Sequence, residues 1–337
     1  MYKVSVIAPV YNAENTIEKT LQSLLNQTID NIQIILVNDG STDSTKNIIE
    51  KYQRENVLII DQENTGVSGA RNRGMEEAFG EYLFFIDADD YIDSNALEVM
   101  YKYAKKNDLD LVSCDHNEPN STAYHGNNNT SNEFIAKTPE NIGQYFLQIF
   151  PQSACAKLFR YSLIQKYNLR FILHVDLGED QIFTYQYLMI AKKVGKVKGV
   201  CYHIENVNPN SLSKKYILNM RHNISLQLSY WNDLIAKYPS IEKTYYKTHI
   251  DFEYYWIFMF VNNLFKKDCP LSWYEKKKEI KKWILENNLV LKRKIHPNKK
   301  PKNFMEFIMY MIFKTKNTHL IGFMFFCKEL IKSRKVY

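Results

Sequence analysis

The sequence predicts an α/β fold: an open sheet of parallel type with flanking helices, followed by a helical C-terminal region. Three observations predict it. Short β-branched runs alternate with amphipathic stretches at βαβ spacing from Met1 to about Cys114. Several of those runs stop abruptly in polar clusters, as strands do at the binding edge of an open sheet. From Lys214 onward the apolar residues keep helical spacing only.

Lys3–Ala8 is the first strand, and Glu14–Asn26 follows as a helix with Ile17, Leu21, Leu24 and Leu25 on one face. Ile32–Val37 is a nearly continuous apolar run, the pattern of a strand covered on both sides. Ser41 and Thr42 mark the start of a helix over Asp43–Tyr52. Val57–Ile60, a helix from about Val67 to Ala78, the strand Tyr82–Ile86, the helix Asn95–Lys106 and the strand Leu109–Ser113 complete the alternation. Asp115–Thr138, rich in Asn, Ser and Thr, reads as an exposed loop. Helices are expected over Ile142–Phe150 and Gly178–Ala191, and strands over Ala154–Phe159 and Lys196–Tyr202. Thereafter Lys214–Ala236, Ile241–Phe265, Leu271–Glu286, Asn303–Phe313 and Thr318–Ser333 read as helices, punctuated by Pro239, Pro270, Pro297 and Pro301. The chain so read divides into 1–115, 116–213 and 214–337.

At 337 residues, 45% hydrophobic and 24% charged, this is the make-up of a protein with a real core. Its 24 tyrosines suit half-buried surface, since the ring packs while the hydroxyl stays wet. The five cysteines form no CxxC pair, which argues against a structural zinc module or a disulfide framework and suits a reducing cytosol. The run Met1–Pro9 reads as a strand and is too short in its apolar part for a signal peptide.

The net charge of +7 is unevenly placed. From Lys266 to the end, 19 Lys and Arg face 6 Asp and Glu; before that point 25 face 31. An acidic body with a basic tail implies an anionic partner, such as a membrane surface or a polyanionic acceptor. The tail's lysines are interleaved with long aliphatic helices and match no nucleic-acid-binding motif, so no nucleic acid is expected. Phe304–Phe313 and Leu320–Phe326 are too short to cross a bilayer. They read either as a packed helical hairpin or as segments lying in a membrane interface.

The sharpest motif is Asp87-Ala88-Asp89-Asp90, where the apolar strand Tyr82–Ile86 runs into three carboxylates. Helix capping needs one carboxylate. Like charges this close call for a compensating cation or proton. Hard oxygen ligands suit Mg²⁺ or Mn²⁺, which keep positions open for phosphate oxygens. Two further strands end in Pro9-Val10-Tyr11-Asn12 and Asn38-Asp39-Gly40-Ser41-Thr42-Asp43. In a parallel sheet these tips share one crevice, where Asp39 is suited to accept from a base N–H and Pro9 or Tyr11 to pack on a ring. Asn64-Thr65-Gly66 opens the next helix, whose free N–H groups face the same edge, and Arg71 follows one turn in. Neither a P-loop nor a dinucleotide fingerprint is present.

Taken together and in this order, Ala8–Asn12, Val37–Asp43, Asn64–Gly74 and Asp87–Asp90 resemble the family 2 glycosyltransferases of GT-A fold over roughly the first 115 residues. The resemblance implies a UDP-sugar donor bound by residues 1–115, with Asp39 meeting the nucleobase beside Pro9 and Tyr11. Asn12, Asn64, Gly66, Arg71 and Ala88 fall in the matched donor segments. It implies that Asp89 binds Mn²⁺ or Mg²⁺, with Asp87 near the metal and ribose. It further implies inversion by single displacement, with a carboxylate deprotonating the acceptor hydroxyl. Gly178-Glu179-Asp180 matches the family's Glu-Asp pair, which makes Asp180 the expected base and 116–213 the acceptor half. A helix start favours the ionised carboxylate, so proximity rather than a large pKa shift is expected there. Lys157, in a family-like Ala156–Arg160 segment, is a candidate contact for acceptor or phosphate. His203, after the last strand, is a candidate for the diphosphate or the metal.

The acceptor stays open among a surface glycan, a lipid-linked sugar and a glycoprotein. The region 214–337 is free to touch acceptor, form a homo-oligomer or meet an anionic membrane. These readings place the enzyme in the cytoplasm, peripheral to the inner face of the cell membrane. The alternatives are a nucleotidyltransferase of related fold and a non-catalytic module binding a nucleotide-sugar or polyanion.

Overall fold

The computed structural model describes residues 2–117, 133–137, 139–149, 152–205, 215–241 and 252–286, with a few isolated positions beyond. These residues fall into two compact units, one of residues 1–208 and 230–241 and the other of 209–229 and 242–337.

In the first unit the opening alternation is β1 (Val4–Val10), α1 (Ile17–Leu25), β2 (Ile32–Asp39), α2 (Thr45–Glu50), β3 (Val57–Gln62), α3 (Gly66–Glu76) and β4 (Tyr82–Phe85). Then come β5 (Tyr91–Ile92), α4 (Ala96–Asn107), β6 (Leu111–Asn117), β7 (Phe134–Ala136) and α5 (Pro139–Tyr145), the last continued by a 3₁₀ turn over Phe146–Ile149. Strand β8 (Lys157–Arg160), α6 (Tyr161–Lys166), α7 (Glu179–Ile190) and β9 (Val194–His203) follow. Helix α8 (Met220–Lys237) gives its Tyr230–Lys237 portion to this unit.

Nine described strands make one sheet in the order β3-β2-β1-β4-β8-β6-β9-β5, with β7 beside β9. Strands β1 to β4 run parallel, which brings the tips of β1, β2 and β4 to one edge. The sheet is mixed, however, rather than parallel throughout. Strand β8 lies antiparallel between β4 and β6, and β5 and β7 run antiparallel to β9. β2 is buried along its whole length because helices cover the sheet, as its unbroken apolar run predicts. Helix α3 packs closely at Gly74, where a Cβ would sit 2.5 Å from the Ile7 side chain.

Strand β6 runs on to Asn117, past its expected end at Ser113. Asp115 and His116 look like loop residues, but Asp115 pairs with buried Lys196 of β9 at 2.9 Å and His116 is itself buried. Strand β7 also lies within the expected loop. Phe134 stacks on Tyr145 with ring centroids 4.3 Å apart. Residues 118–132 lie outside the described residues.

In the second unit, α9 (Phe252–Leu264) and α10 (Trp273–Glu286) bear out the helical reading. The Arg221 guanidinium lies over the rings of Phe260 and Trp283, at 5.0 and 5.3 Å, and pairs with Glu279 and Glu286. The expected helix Asn303–Phe313 and most of Thr318–Ser333 lie outside the described residues. Among the described residues no helix is long and apolar enough to cross a membrane.

Candidate active site

The tips of β1 and β2 are tied to each other. Asn12, at a positive φ of 47°, donates its N–H to the Ser41 hydroxyl (3.1 Å), and its side-chain oxygen accepts from the Thr42 N–H (2.8 Å). Asp39, only 3% exposed, accepts from the N–H groups of Thr65 (2.8 Å) and Gly66 (2.9 Å) and from the Gln62 amide (2.7 Å). It thereby satisfies N–H groups that α3 cannot bond internally. Gly40, at φ +73°, lets this turn close, since a Cβ there would meet the Asn64 nitrogen at 3.0 Å. Asn64 itself accepts from the Gly66 N–H at 3.3 Å. Pro9 is half-buried and Tyr11 is 50% exposed, leaving an aromatic face open beside Asp39's strand.

At the tip of β4, the three carboxylates of Asp87–Asp90 take different roles. Asp90 turns inward, accepting from the Tyr202 hydroxyl (2.6 Å) and the Glu205 N–H (2.9 Å). Thr20 donates toward the Ala88 and Asp90 carbonyls. Asp87 and Asp89 remain at the edge. Burial, then the charge of Asp87, pushes Asp89 up to about 6. No Lys, Arg or His among the described residues pairs with Asp89, so this carboxylate pair fits a divalent cation. Among the described residues no three His, Cys, Asp or Glu side chains gather as a metal cage. Two carboxylates with the remaining positions left to phosphate and water is the usual manner of Mg²⁺.

Arg71 joins this edge to α7. It is 2% exposed, bonds Asp87 at 2.8 Å and Glu179 at 3.0 Å, and lies 5.2 Å from the Phe171 ring centroid. Phe85 of β4, Phe159 of β8, Phe171 and Phe183 of α7 pack edge-on or stacked with centroids 4.1 to 5.8 Å apart. This aromatic cluster seats the start of α7 against the strand that carries Asp87. Gly178 precedes the helix at φ 84°, a left-handed turn that a side chain would strain.

Asp180 accepts from the Gln181 N–H at 2.8 Å. Burial raises its pKa, with Arg71 working against the rise and Asp87 adding to it. The expectation of little shift is therefore corrected, because burial outweighs the helix start. Burial, then Asp180, carries Glu179 up to about 7 against the pull of Arg71.

Two candidates stand elsewhere. Lys157 is fully buried and donates to the carbonyls of Ser153 (2.7 Å) and Cys155 (3.1 Å). Burial lowers its pKa to about 7. The Nε2 of His203 bonds Asp93 at 2.7 Å while its ring stacks on Tyr91 at 4.4 Å, and no cluster gathers it with Asp87 and Asp89. The structure thus does not assemble His203 into the carboxylate pair. Sequence reasoning passed over Tyr202 and Phe171, since a buried Tyr or Phe carries no motif of its own.

An edge with acidic strand tips, a helix N-terminus and a Glu-Asp helix start defines a class, and comparison supplies the family. The model of glycosyl transferase family 2 matches residues 5–167, and the chain belongs to that family. It is 31% identical over 264 residues, 74% of each chain, to the poly(ribitol-phosphate) β-N-acetylglucosaminyltransferase TarP of Staphylococcus aureus (strain N315). It is 34% identical over 217 residues to the uncharacterized glycosyltransferase EpsJ of Bacillus subtilis (strain 168), spanning 63% of each chain. Among solved structures, S. aureus TarS 1-349 in complex with UDP-GlcNAc superposes with a TM-score of 0.65 at 19% identity, covering 96% of this chain and 90% of that one. The fold is the GT-A fold: a mixed sheet with flanking helices.

Proposed function

We propose that this chain transfers a hexose or hexosamine from a UDP-sugar to a hydroxyl acceptor with inversion. The observation that carries the reading is Arg71, bonded at once to Asp87 of the acidic strand tip and to Glu179 beside Asp180. Donor carboxylates and candidate base thereby share one crevice. The UDP-GlcNAc held by TarS and the activity in TarP's name support N-acetylglucosamine as the first donor to test and a polyol-phosphate or other surface glycan as acceptor.

In this reading Asp39, Pro9 and Tyr11 receive the base, and Asn12, Asn64 and Gly66 keep their turns rigid around it. Asp87 and Asp89 would hold Mn²⁺ or Mg²⁺, whose charge offsets that of the diphosphate. Asp180 takes the acceptor proton as the oxygen attacks the anomeric carbon and the UDP leaves from the opposite face. Arg71, held by two carboxylates, keeps Asp87 and the start of α7 in register.

Helix α10 supports contact with an anionic membrane surface. Tyr274, Lys278, Lys281 and Leu285 recur at helical spacing and are all exposed, Tyr274 to 75% and Leu285 to 65%. A basic stripe between two exposed apolar groups matches the chemistry of an anionic headgroup layer. The acceptor in this version is lipid-linked and the enzyme works at the cytoplasmic face.

Incubating the protein with a panel of UDP-sugars and Mn²⁺ or Mg²⁺, with water as acceptor, tests the reaction by mass. UDP and free sugar are expected from one of them. No turnover of any UDP-sugar would overturn the proposal, and release of pyrophosphate from a nucleotide triphosphate would favour a nucleotidyltransferase.

A further inference from the structure

Asp39 and Gln62 stand opposite each other at the ends of the parallel strands β2 and β3. That register brings the Gln62 amide onto one oxygen of the Asp39 carboxylate. Oδ1 of Asp39 accepts from the Gln62 Nε2 (2.7 Å), the Thr65 N–H (2.8 Å) and the Thr65 hydroxyl (3.3 Å). The same Gln62 nitrogen donates to the Thr65 hydroxyl at 2.6 Å, so both of its N–H bonds are engaged in this corner. Oδ2 accepts from the Gly66 N–H at 2.9 Å and from no other group among the described residues.

The two oxygens are therefore unequal. A carboxylate oxygen carries two lone pairs. Protein donors fill those of Oδ1, whereas one on Oδ2 is left. Capping α3 needs only the bonds from the Thr65 and Gly66 N–H groups, so the Gln62 amide is an addition to the cap. Gly69 gives this corner its space, since a Cβ there would overlap the Thr65 hydroxyl. A glycine inside a helix costs about 0.5–1 kcal/mol relative to alanine, and α3 carries that cost where the Thr65 side chain needs room.

The inequality bears on which base can be received. Uracil presents one ring N–H between two carbonyl oxygens. Guanine presents two donors side by side, its ring N–H and its exocyclic amine, which match both oxygens of an open carboxylate. With Oδ1 closed, Asp39 serves the single donor fully and leaves one of guanine's two without an acceptor. We propose that Gln62 is a positioning residue that sets base specificity: with Thr65 it closes Oδ1 of Asp39 and so selects uracil over guanine. The inference rests on Asp39 receiving the base of the donor.

Isothermal titration of the full chain with UDP, GDP and N3-methyl-UDP, each with Mn²⁺, tests this. The wild-type protein is expected to bind UDP about 10- to 100-fold more tightly than GDP, the range that one unpaired buried donor supplies. In Gln62→Leu, which keeps the length and removes the amide, that preference is expected to shrink about 10-fold. A purely structural loss would weaken UDP and GDP alike, and an unchanged ratio would overturn the inference. So would a wild-type protein with no preference for UDP. Gln62→Met replaces the leucine variant if that one does not fold. N3-methyl-UDP lacks the ring N–H, so the wild-type protein should bind it at least about 10-fold more weakly than UDP. Weak binding of N3-methyl-UDP beside an unchanged ratio in Gln62→Leu sinks only the role of Gln62. Binding of N3-methyl-UDP as tight as that of UDP removes Asp39 as the base acceptor and sinks both.

Discussion

The Tyr202 hydroxyl and the Asp90 carboxylate lie 2.6 Å apart in the interior, and the same phenolic oxygen accepts the Asp87 N–H at 3.2 Å. One phenol thus grips both ends of the acidic turn. Asp90 acts as a strut, leaving Asp87 and Asp89 at the edge. Tyr202→Phe is expected to lower stability by about 1–3 kcal/mol, the usual cost of orphaning a buried polar group. It should also raise the Mn²⁺ concentration needed for half-maximal UDP-sugar hydrolysis. Urea unfolding and a metal titration check both, and no change in either would show the turn to be held by Thr20 and Glu205 alone.

The acidic edge should make the metal-free protein sensitive to alkali. Burial, then the charge of Asp87, pushes Asp90 up to about 8 and Asp89 up to about 6, and burial with Asp180 brings Glu179 to about 7. A carboxyl whose pKa is higher in the folded state keeps a proton that the unfolded chain gives up. Its folding advantage is therefore greatest below the unfolded value and is lost as pH rises through the folded one. In EDTA the contribution of these groups to Tm should fall between about pH 4 and about pH 8. Asp90→Asn should flatten the upper part of that fall. Added Mn²⁺ should raise Tm near neutral pH, and much less so in Asp89→Asn. A wild-type Tm in EDTA no more alkali-sensitive than that of Asp90→Asn would contradict this.

Arg71→Met leaves two carboxylates without their shared cation. Removing one partner of a buried ion pair costs about 3–5 kcal/mol, and the lower end is expected here because Asp87 is 41% exposed. Chemical denaturation measures it. A loss under about 1 kcal/mol would mean that solvent already screens the bridge.

Changing Lys277, Lys278, Lys281 and Lys282 of α10 to glutamate should abolish co-sedimentation with phosphatidylglycerol vesicles while leaving UDP-sugar hydrolysis in solution intact. Each lysine near an anionic surface contributes about 1 kcal/mol. Equal binding of wild type and variant, or binding to phosphatidylcholine vesicles alone, would remove the basic stripe as the cause.

Much of this architecture can be read from residue order because its determinants are local. The unbroken Ile32–Val37 run and the acidic stop after Ile86 each follow from a few adjacent residues, and both strands are where they were expected. Asp39, Asp87, Glu179 and Asp180 stand out in the sequence because carboxylates at strand and helix ends need a reason. What stayed hidden depends on partners far along the chain. The antiparallel insertion of β8 between β4 and β6 is a matter of topology that no window of sequence encodes. Asp115 resembles a loop residue until Lys196 is beside it, 81 positions later. His203 invited a metal or diphosphate reading from its place after the last strand, and its bond to Asp93, 110 positions earlier, is visible only in the fold.

Arg71 has one further consequence. A single planar cation divides its hold between Asp87 and Glu179, so anything that alters the charge at one end alters what the other end can keep. The charge beside Asp87 and proton occupancy at Glu179 are in that sense linked quantities, and the linkage works equally in both directions. The two flanks of the crevice are not independent compartments but opposite pans of one balance.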